Sequence, residues 1–231
     1  MKTIGLVGGM SWESTLEYYR IINETVKEKL GGFHSAKMVL YSVDFAEVET
    51  LQHRGEWDQA AVLLTEAALR VEAAGADFGL FCTNTMHKVF DEIQKGIHIP
   101  LIHIADVTGR AITARGLRRV GLLGTRFTME QDFYKGKLTS DYGIDVLIPD
   151  EEERQAIHAI VYNELCLGQV KDTSREAFKK IIARLEGRGA QGIVLGCTEI
   201  PLLVKQKDNR LPLFDTTDLH ARAAVDLALR D

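Results

Sequence analysis

Ile4-Gly5-Leu6-Val7-Gly8-Gly9-Met10-Ser11 opens the chain with an apolar run that ends in paired glycines, and 116 residues later Val120-Gly121-Leu122-Leu123-Gly124-Thr125-Arg126-Phe127 repeats the pattern. A second echo lies further on, where Leu80-Phe81-Cys82-Thr83-Asn84-Thr85 reads like Val194-Leu195-Gly196-Cys197-Thr198-Glu199 at an offset of 114 residues. Chance similarity does not favour two nearly equal offsets, so the chain reads as two related halves. Working outward, further strand-like runs are Met38–Val43, Phe78–Cys82, Leu101–Ile104, Val146–Ile148 and Gly192–Leu195. Helical patterns lie between them, as in Trp57–Ala74, Glu151–Leu165, Arg175–Arg188 and Leu219–Leu229. Several strand runs are continuously apolar rather than alternating, which marks strands covered on both faces. The βαβα order implies parallel pairing. The expected class is α/β, with two pseudo-symmetric domains, each a parallel β-sheet flanked by helices. Residues 1–105 form the first, with the segment 211–231 returning to it, and residues 106–210 form the second. Open α/β sheets bind ligands at the carboxyl ends of their strands, so the active site is expected in the interdomain cleft.

Composition removes whole classes of function. The 231 residues are 45% apolar, enough for a sizeable core, and the formal net charge is −5 with basic residues dispersed. That charge pattern argues against a nucleic-acid partner. Nothing approaches the run of about 18 apolar residues that a membrane helix needs, so no membrane partner is expected. The start, Met1-Lys2-Thr3-Ile4-Gly5, runs directly into a strand and a Gly-rich turn, unlike a cleaved leader. Three cysteines are an odd number and no disulfide framework; reduced thiols in a cytoplasmic protein are expected. Gly8-Gly9 is followed by Trp12 rather than a third glycine, and no P-loop lysine is present. Nucleotide binding is therefore a distant reading. His34, His53, His98, His103, His158 and His220 show no metal-ligand spacing, and no metal is expected.

The chemistry-bearing residues gather where the third apolar run of each half ends. One turn is Cys82-Thr83-Asn84-Thr85-Met86-His87, the other Gly196-Cys197-Thr198-Glu199. At a strand end that leads into a helix, the unpaired N–H groups of the first turn face an anion. The same field is expected to lower a thiol's pKa. Two such turns would place a proton donor or acceptor on each side of one ligand, which suits inversion at a carbon that bears hydrogen. Preorganised N–H and hydroxyl donors would then hold the carbanion's charge, with no electron-sink cofactor.

Along essentially its whole length the chain resembles the aspartate/glutamate racemase family. The stretches that carry the likeness are Gly5–Ser11, Asn84-Thr85-Met86-His87, Gly121-Leu122-Leu123-Gly124-Thr125 and Gly196-Cys197-Thr198-Glu199-Ile200. The resemblance implies a homodimer acting on a small amino acid, by a two-base mechanism without pyridoxal phosphate or metal. It implies that Cys197 handles the L-face proton. It also implies that Asn84, Thr85 and Thr198 hold the α-carboxylate and amino group, with Met10 and Gln52 lining the pocket and Thr125 and Glu199 among the substrate contacts. Family members carry a cysteine immediately before Asn-Thr, whereas this chain has Thr83 there and Cys82 one residue earlier. Strand side chains alternate faces, so the shift points Cys82 away from the site unless a bulge intervenes. Thr83 is then the first-half acid/base, with His87 as a possible relay.

The expected activity is racemisation of L-aspartate, L-glutamate or a similar residue, with Cys197 and Thr83 on opposite faces of the α-carbon. A Thr hydroxyl is a far poorer acid than a thiol, so L-substrates should be handled better than D-substrates. Enantiomers have equal free energy in water, so this asymmetry can only divide kcat from KM. Two other readings stand beside it: a one-sided decarboxylase or isomerase of the same superfamily, and a non-catalytic module that closes on a small anion. Each residue also has a plainer role. Cys197, Cys82 and Cys166 could be core filler, Thr83 a helix cap, Asn84 a turn former, and Glu199 a first-turn acid. Arg54, near Gln52, could instead hold a distal carboxylate.

Overall fold

The computed structural model describes residues 1–230, which form two compact units. The first unit is Met1–His103 together with the chain from His220 onward; the second is Ile104–Leu219. In the first unit the order is β1 (Ile4–Gly8), α1 (Trp12–Leu30), β2 (Met38–Ser42), α2 (Phe45–Arg54), α3 (Trp57–Ala73), β3 (Phe78–Phe81), a 3-10 turn (Thr85–Val89) and α4 (Phe90–Lys95). The sheet order is β2-β1-β3 with both pairings parallel, and Leu101 adds a single parallel bridge to Gly79.

The second unit contains α5 (Ile104–Ala114), β4 (Arg119–Gly124), α6 (Arg126–Glu130), α7 (Asp132–Tyr142), β5 (Asp145–Leu147), α8 (Glu151–Asn163), α9 (Asp172–Gly187), β6 (Ile193–Gly196), α10 (Ile200–Leu203) and β7 (Leu213–Asp215). Helix α11 (Thr216–Ala228) starts in this unit and passes to the first at His220. The second sheet runs β5-β4-β6-β7, again with all pairings parallel. Both units are therefore parallel sheets flanked by helices.

The apolar pattern explains the layering. All five residues of β1 are buried, as a central strand covered on both faces requires. One face of the first sheet packs Leu64, Ala67, Ala68 and Val71 of α3 with Val7 and Phe81. The other packs Tyr18, Ile22 and Val26 of α1 and Ala221, Ala224 and Val225 of α11 with Ile4, Leu6, Phe78 and Leu80. Local chemistry sets the helix ends. Asp150 and Glu153 form a reciprocal capping box on α8, readable in the sequence as an acid three residues after an N-cap acid. The Gly8-Gly9 turn is tight for packing reasons: Gly9 has φ of +96°, and a Cβ at Gly8 would run into Thr15. The Gly9 N–H donates to Thr15 Oγ1 at 2.8 Å, so the turn is tied to α1.

Two expectations are corrected. Leu101–Ile104 is not a strand beyond the bridge at Leu101, since Pro100 lacks a backbone donor and α5 already begins at Ile104. Residues 211–219 lie with the second unit rather than the first, because β7 continues the second sheet beside β6 in the register Ile193↔Leu213 and Leu195↔Asp215. The return to the first unit begins only at His220. There His220 Nε2 meets the Ile102 carbonyl at 2.9 Å and Nδ1 meets the Tyr18 hydroxyl at 2.9 Å. Burial holds this imidazole down to about 3, so it is neutral near neutral pH.

Candidate active site

In the first unit the decisive turn follows β3. Phe78, Leu80 and Cys82 pack into the α1–α11 layer, while Phe81 packs into the α3 layer. The two-residue period therefore puts Cys82 in the core, fully buried, and burial pushes its thiol well up. Thr83 follows directly in the turn beyond β3, and Phe81 packs on the face that holds Met10 and Met86. Gln52, buried on α2, donates its amide to Met86 Sδ at 2.9 Å. Met10, Gln52, Thr83, Asn84 and Thr85 are all buried, and Gln52 and Met10 are brought to the layer that holds Met86. Arg54 is exposed at the end of α2. Two residues are about 200° of helical rotation, so with Gln52 inward Arg54 points outward.

His87 is buried in an aromatic nest, stacked on Phe90 with ring centroids 5.6 Å apart and 4.8 Å from His103. Burial first, and then His103 and His220, hold it well below the usual histidine range. Its ring hydrogen-bonds the backbone of Thr83 and Asn84. In this state the neutral ring fastens the turn, a holding role beside the expected relay.

In the second unit the turn after β6 is a small hydrogen-bonded device. The Cys197 thiol donates to Glu199 Oε2 at 2.9 Å, and the Thr198 hydroxyl donates to the same oxygen at 2.9 Å. All three side chains are buried. The helix that follows, α10, has four residues, too short for a large dipole. Burial is the main cause of a Cys197 pKa well above the ordinary thiol value, reinforced by the nearby Glu199 charge. This corrects the expectation that the turn lowers the thiol's pKa: desolvation and a neighbouring acid outweigh one helical turn. Glu199 is consequently more than a first-turn acid, since its carboxylate accepts the thiol's hydrogen bond. Thr125, expected to touch substrate, caps α6 by accepting from the Thr128 N–H at 3.3 Å.

An open cavity of about 720 Å³ in the first unit is lined by Tyr41, Asp44, Glu47, Gln59, Glu66 and Arg70 among others. Arg70 there sits over the Tyr41 ring at 5.1 Å and pairs with Glu66 at 3.6 Å, which leaves an acidic lining ill suited to an acidic amino acid. Among the described residues no group of three or more His, Cys, Asp or Glu side chains is arranged to hold a metal ion. No described helix is long and apolar enough to cross a membrane.

Comparisons with known proteins agree with this layout. The model of the Asp/Glu/Hydantoin racemase family matches residues 7–224. A broad specificity amino-acid racemase, RacX of Bacillus subtilis, is 22% identical over 231 residues, covering 98% of both chains. A crystal structure of a candidate Asp/Glu racemase from Yersinia pestis is 55% identical and superposes with a TM-score of 0.92 over 100% of both chains. That of an aspartate racemase homologue from Pyrococcus horikoshii is 37% identical, with a TM-score of 0.86 over 100% of both chains. On its fold, its two turns and these matches, the chain belongs to the Asp/Glu/hydantoin racemase family and is an isomerase of that kind.

Proposed function

We propose that this protein racemises L-aspartate, L-glutamate or a similar amino acid without a cofactor, by proton transfer at the α-carbon. The observation that carries the proposal is the buried Cys197–Glu199 hydrogen bond, a nucleophile–base pair at a strand's carboxyl end. As the substrate binds, Glu199 accepts the thiol proton and the Cys197 thiolate removes the α-hydrogen of the L-enantiomer. The Thr83 hydroxyl serves the opposite face, donating a proton to the carbanion. The high thiol pKa of the resting state is consistent with this division: the proton leaves only when a positive ammonium group arrives to offset the thiolate.

Buried Asn84, Thr85 and Thr198 supply polar groups for the α-carboxylate and amino group, while Met10 and Gln52 shape the pocket. Thr125 would contribute its backbone or a shared hydroxyl, because its side chain already caps α6. The small molecule is the expected partner, with a second copy of the chain. Trp12, Leu16 and Tyr19, exposed at helical spacing along α1, support a homodimer, and light scattering of Tyr19→Glu beside wild type tests it. Three free thiols support a reducing, cytoplasmic setting.

The deciding experiment incubates pure L- and D-aspartate and L- and D-glutamate with the protein in deuterated buffer. Loss of the α-proton with appearance of the opposite enantiomer is expected, unchanged by dialysis against a chelator or by hydroxylamine. Absence of exchange from every one of these substrates overturns the proposal. A second reading is favoured by Thr83 itself: a one-sided enzyme that protonates a carbanion from Cys197 alone. It predicts no inversion of an amino acid in the same assay.

A further inference from the structure

Three buried threonines stand at the carboxyl ends of neighbouring strands in the second sheet: Thr125 after β4, Thr198 after β6 and Thr217 after β7. Two have protein partners. Thr125 Oγ1 caps α6, and Thr198 Oγ1 donates to Glu199. Thr217 Oγ1 is buried with no hydrogen-bond partner among the described residues. Its own N–H donates to Asp215 Oδ1 at 2.9 Å, and the neighbouring Thr216 hydroxyl is engaged with the Leu195 carbonyl at 2.8 Å. Only the Thr217 hydroxyl is uncommitted.

Register brings Thr217 to the same end of the second sheet as the reactive thiol. Leu195 pairs with Asp215, and Cys197 and Thr217 each lie two residues further along. The strands end at Gly196 and Asp215, and Thr217 is the second residue of α11, so both residues lie just past the carboxyl ends of adjacent parallel strands. The chain after the first sheet supplies an internal comparison. Gly79 bridges Leu101 there, and α5 and α11 each begin three residues after Leu101 and Leu213 respectively. The counterpart of Thr217 is therefore Ala105, a buried apolar residue of the packed core. A polar side chain at this place is not needed to build the turn. A buried hydroxyl without a partner is unfavourable and calls for a reason.

We infer that Thr217 is a further substrate-binding residue, its hydroxyl donating to a carboxylate oxygen of the amino acid held against Cys197. The inference rests on the racemase reading and adds a residue from the start of α11 to the turn that follows β6. The Asp215 carboxylate is turned to the N–H groups of Thr217 and Asp218, which leaves the hydroxyl as the donor of this turn.

The test compares wild type, Thr217→Val and Thr217→Ser. Val keeps the shape and removes the donor; Ser keeps the donor. Exchange of the α-proton of L-aspartate and L-glutamate gives kcat and KM, and aspartate titrations followed by thermal shift give binding and Tm. Thr217→Val is expected to raise KM and the aspartate Kd about tenfold, with kcat within about twofold and an unliganded Tm no lower than wild type. Thr217→Ser should restore both constants. Wild-type KM and Kd in Thr217→Val overturn the inference, as does a lower Tm with unchanged constants, which would mark a water-filled structural position. If the wild type itself neither exchanges nor binds these amino acids, the racemase reading fails and this inference falls with it.

Discussion

The turn after β3 and the turn after β6 hold equivalent places in their two units, yet they are built from opposite chemistries. In the second unit a thiol donates to a carboxylate that also accepts from Thr198. In the first, Thr83 stands at that place, the nearby thiol is in the core, and a nest of His87, His103 and Phe90 braces the turn from behind. One turn carries a thiol hydrogen-bonded to a carboxylate. The other carries a buried hydroxyl. A duplicated fold thus supplies two similar scaffolds, and under the proposed mechanism their side chains would divide deprotonation from reprotonation.

This contrast can be broken at its strongest point first. Cys197→Ala should abolish α-proton exchange, a loss of at least about 10³-fold, within the range for removing a general base, with the fold intact by circular dichroism. Residual exchange near the wild-type rate would remove Cys197 from the mechanism. Glu199→Gln should lower kcat about 10²-fold by removing the acceptor for the thiol proton. The sign on the thiol is opposite. The Glu199 charge disfavours a thiolate, so its removal should shift the pH profile of Cys197 alkylation to lower pH. A profile that stays put would show that the hydrogen bond does not tune the thiol.

Thr83→Ala sharpens the division of labour. Cys197 can still remove and return the L-face proton, so deuterium exchange into L-substrate should persist while inversion falls about tenfold. An unchanged ratio of exchange to inversion would mean that Thr83 does not serve the second face. The smallest kinetic effect is expected for Cys82→Ala. Its side chain is packed with Tyr18, Leu80 and Val225, so the change should cost about 1 kcal/mol of stability in denaturant unfolding and leave kcat and KM within about twofold. A large loss of activity with full stability would return the first-half proton chemistry to Cys82.

Stability also carries a pH signature. Burial holds His220 at about 3 in the folded chain, against about 6.5 when unfolded. Between those values the unfolded state binds the extra proton, so this group's contribution is full above about pH 6.5 and is lost as pH falls toward 3. Urea midpoints across that range should fall for wild type and fall less steeply for His220→Gln.

Much of this organisation is written in the residues themselves. The doubled Gly-rich strand and the doubled turn disclose two α/β halves, because continuous apolar runs and their spacing survive without any tertiary information. The one-residue displacement of Cys82 is equally legible, since side chains in a strand alternate faces whatever packs on them. Other features depend on pairings between distant segments. The three residues of β7 are too few for a periodic signal, and only the open edge of β6 makes them a strand of the second sheet. The same edge register brings Thr217 and Cys197 to one end of the second sheet. The sequence alone led to a thiol acidified by a helix N-terminus, whereas the structure shows one raised by burial and by Glu199. Desolvation is a property of everything packed around a group, and no local pattern encodes it. Local periodicity and motif thus determined the two-unit α/β fold and the residues worth watching. Tertiary packing decided which hydroxyl is left without a partner and which carboxylate the thiol meets, because burial and hydrogen-bond partners exist only once remote segments have been brought together.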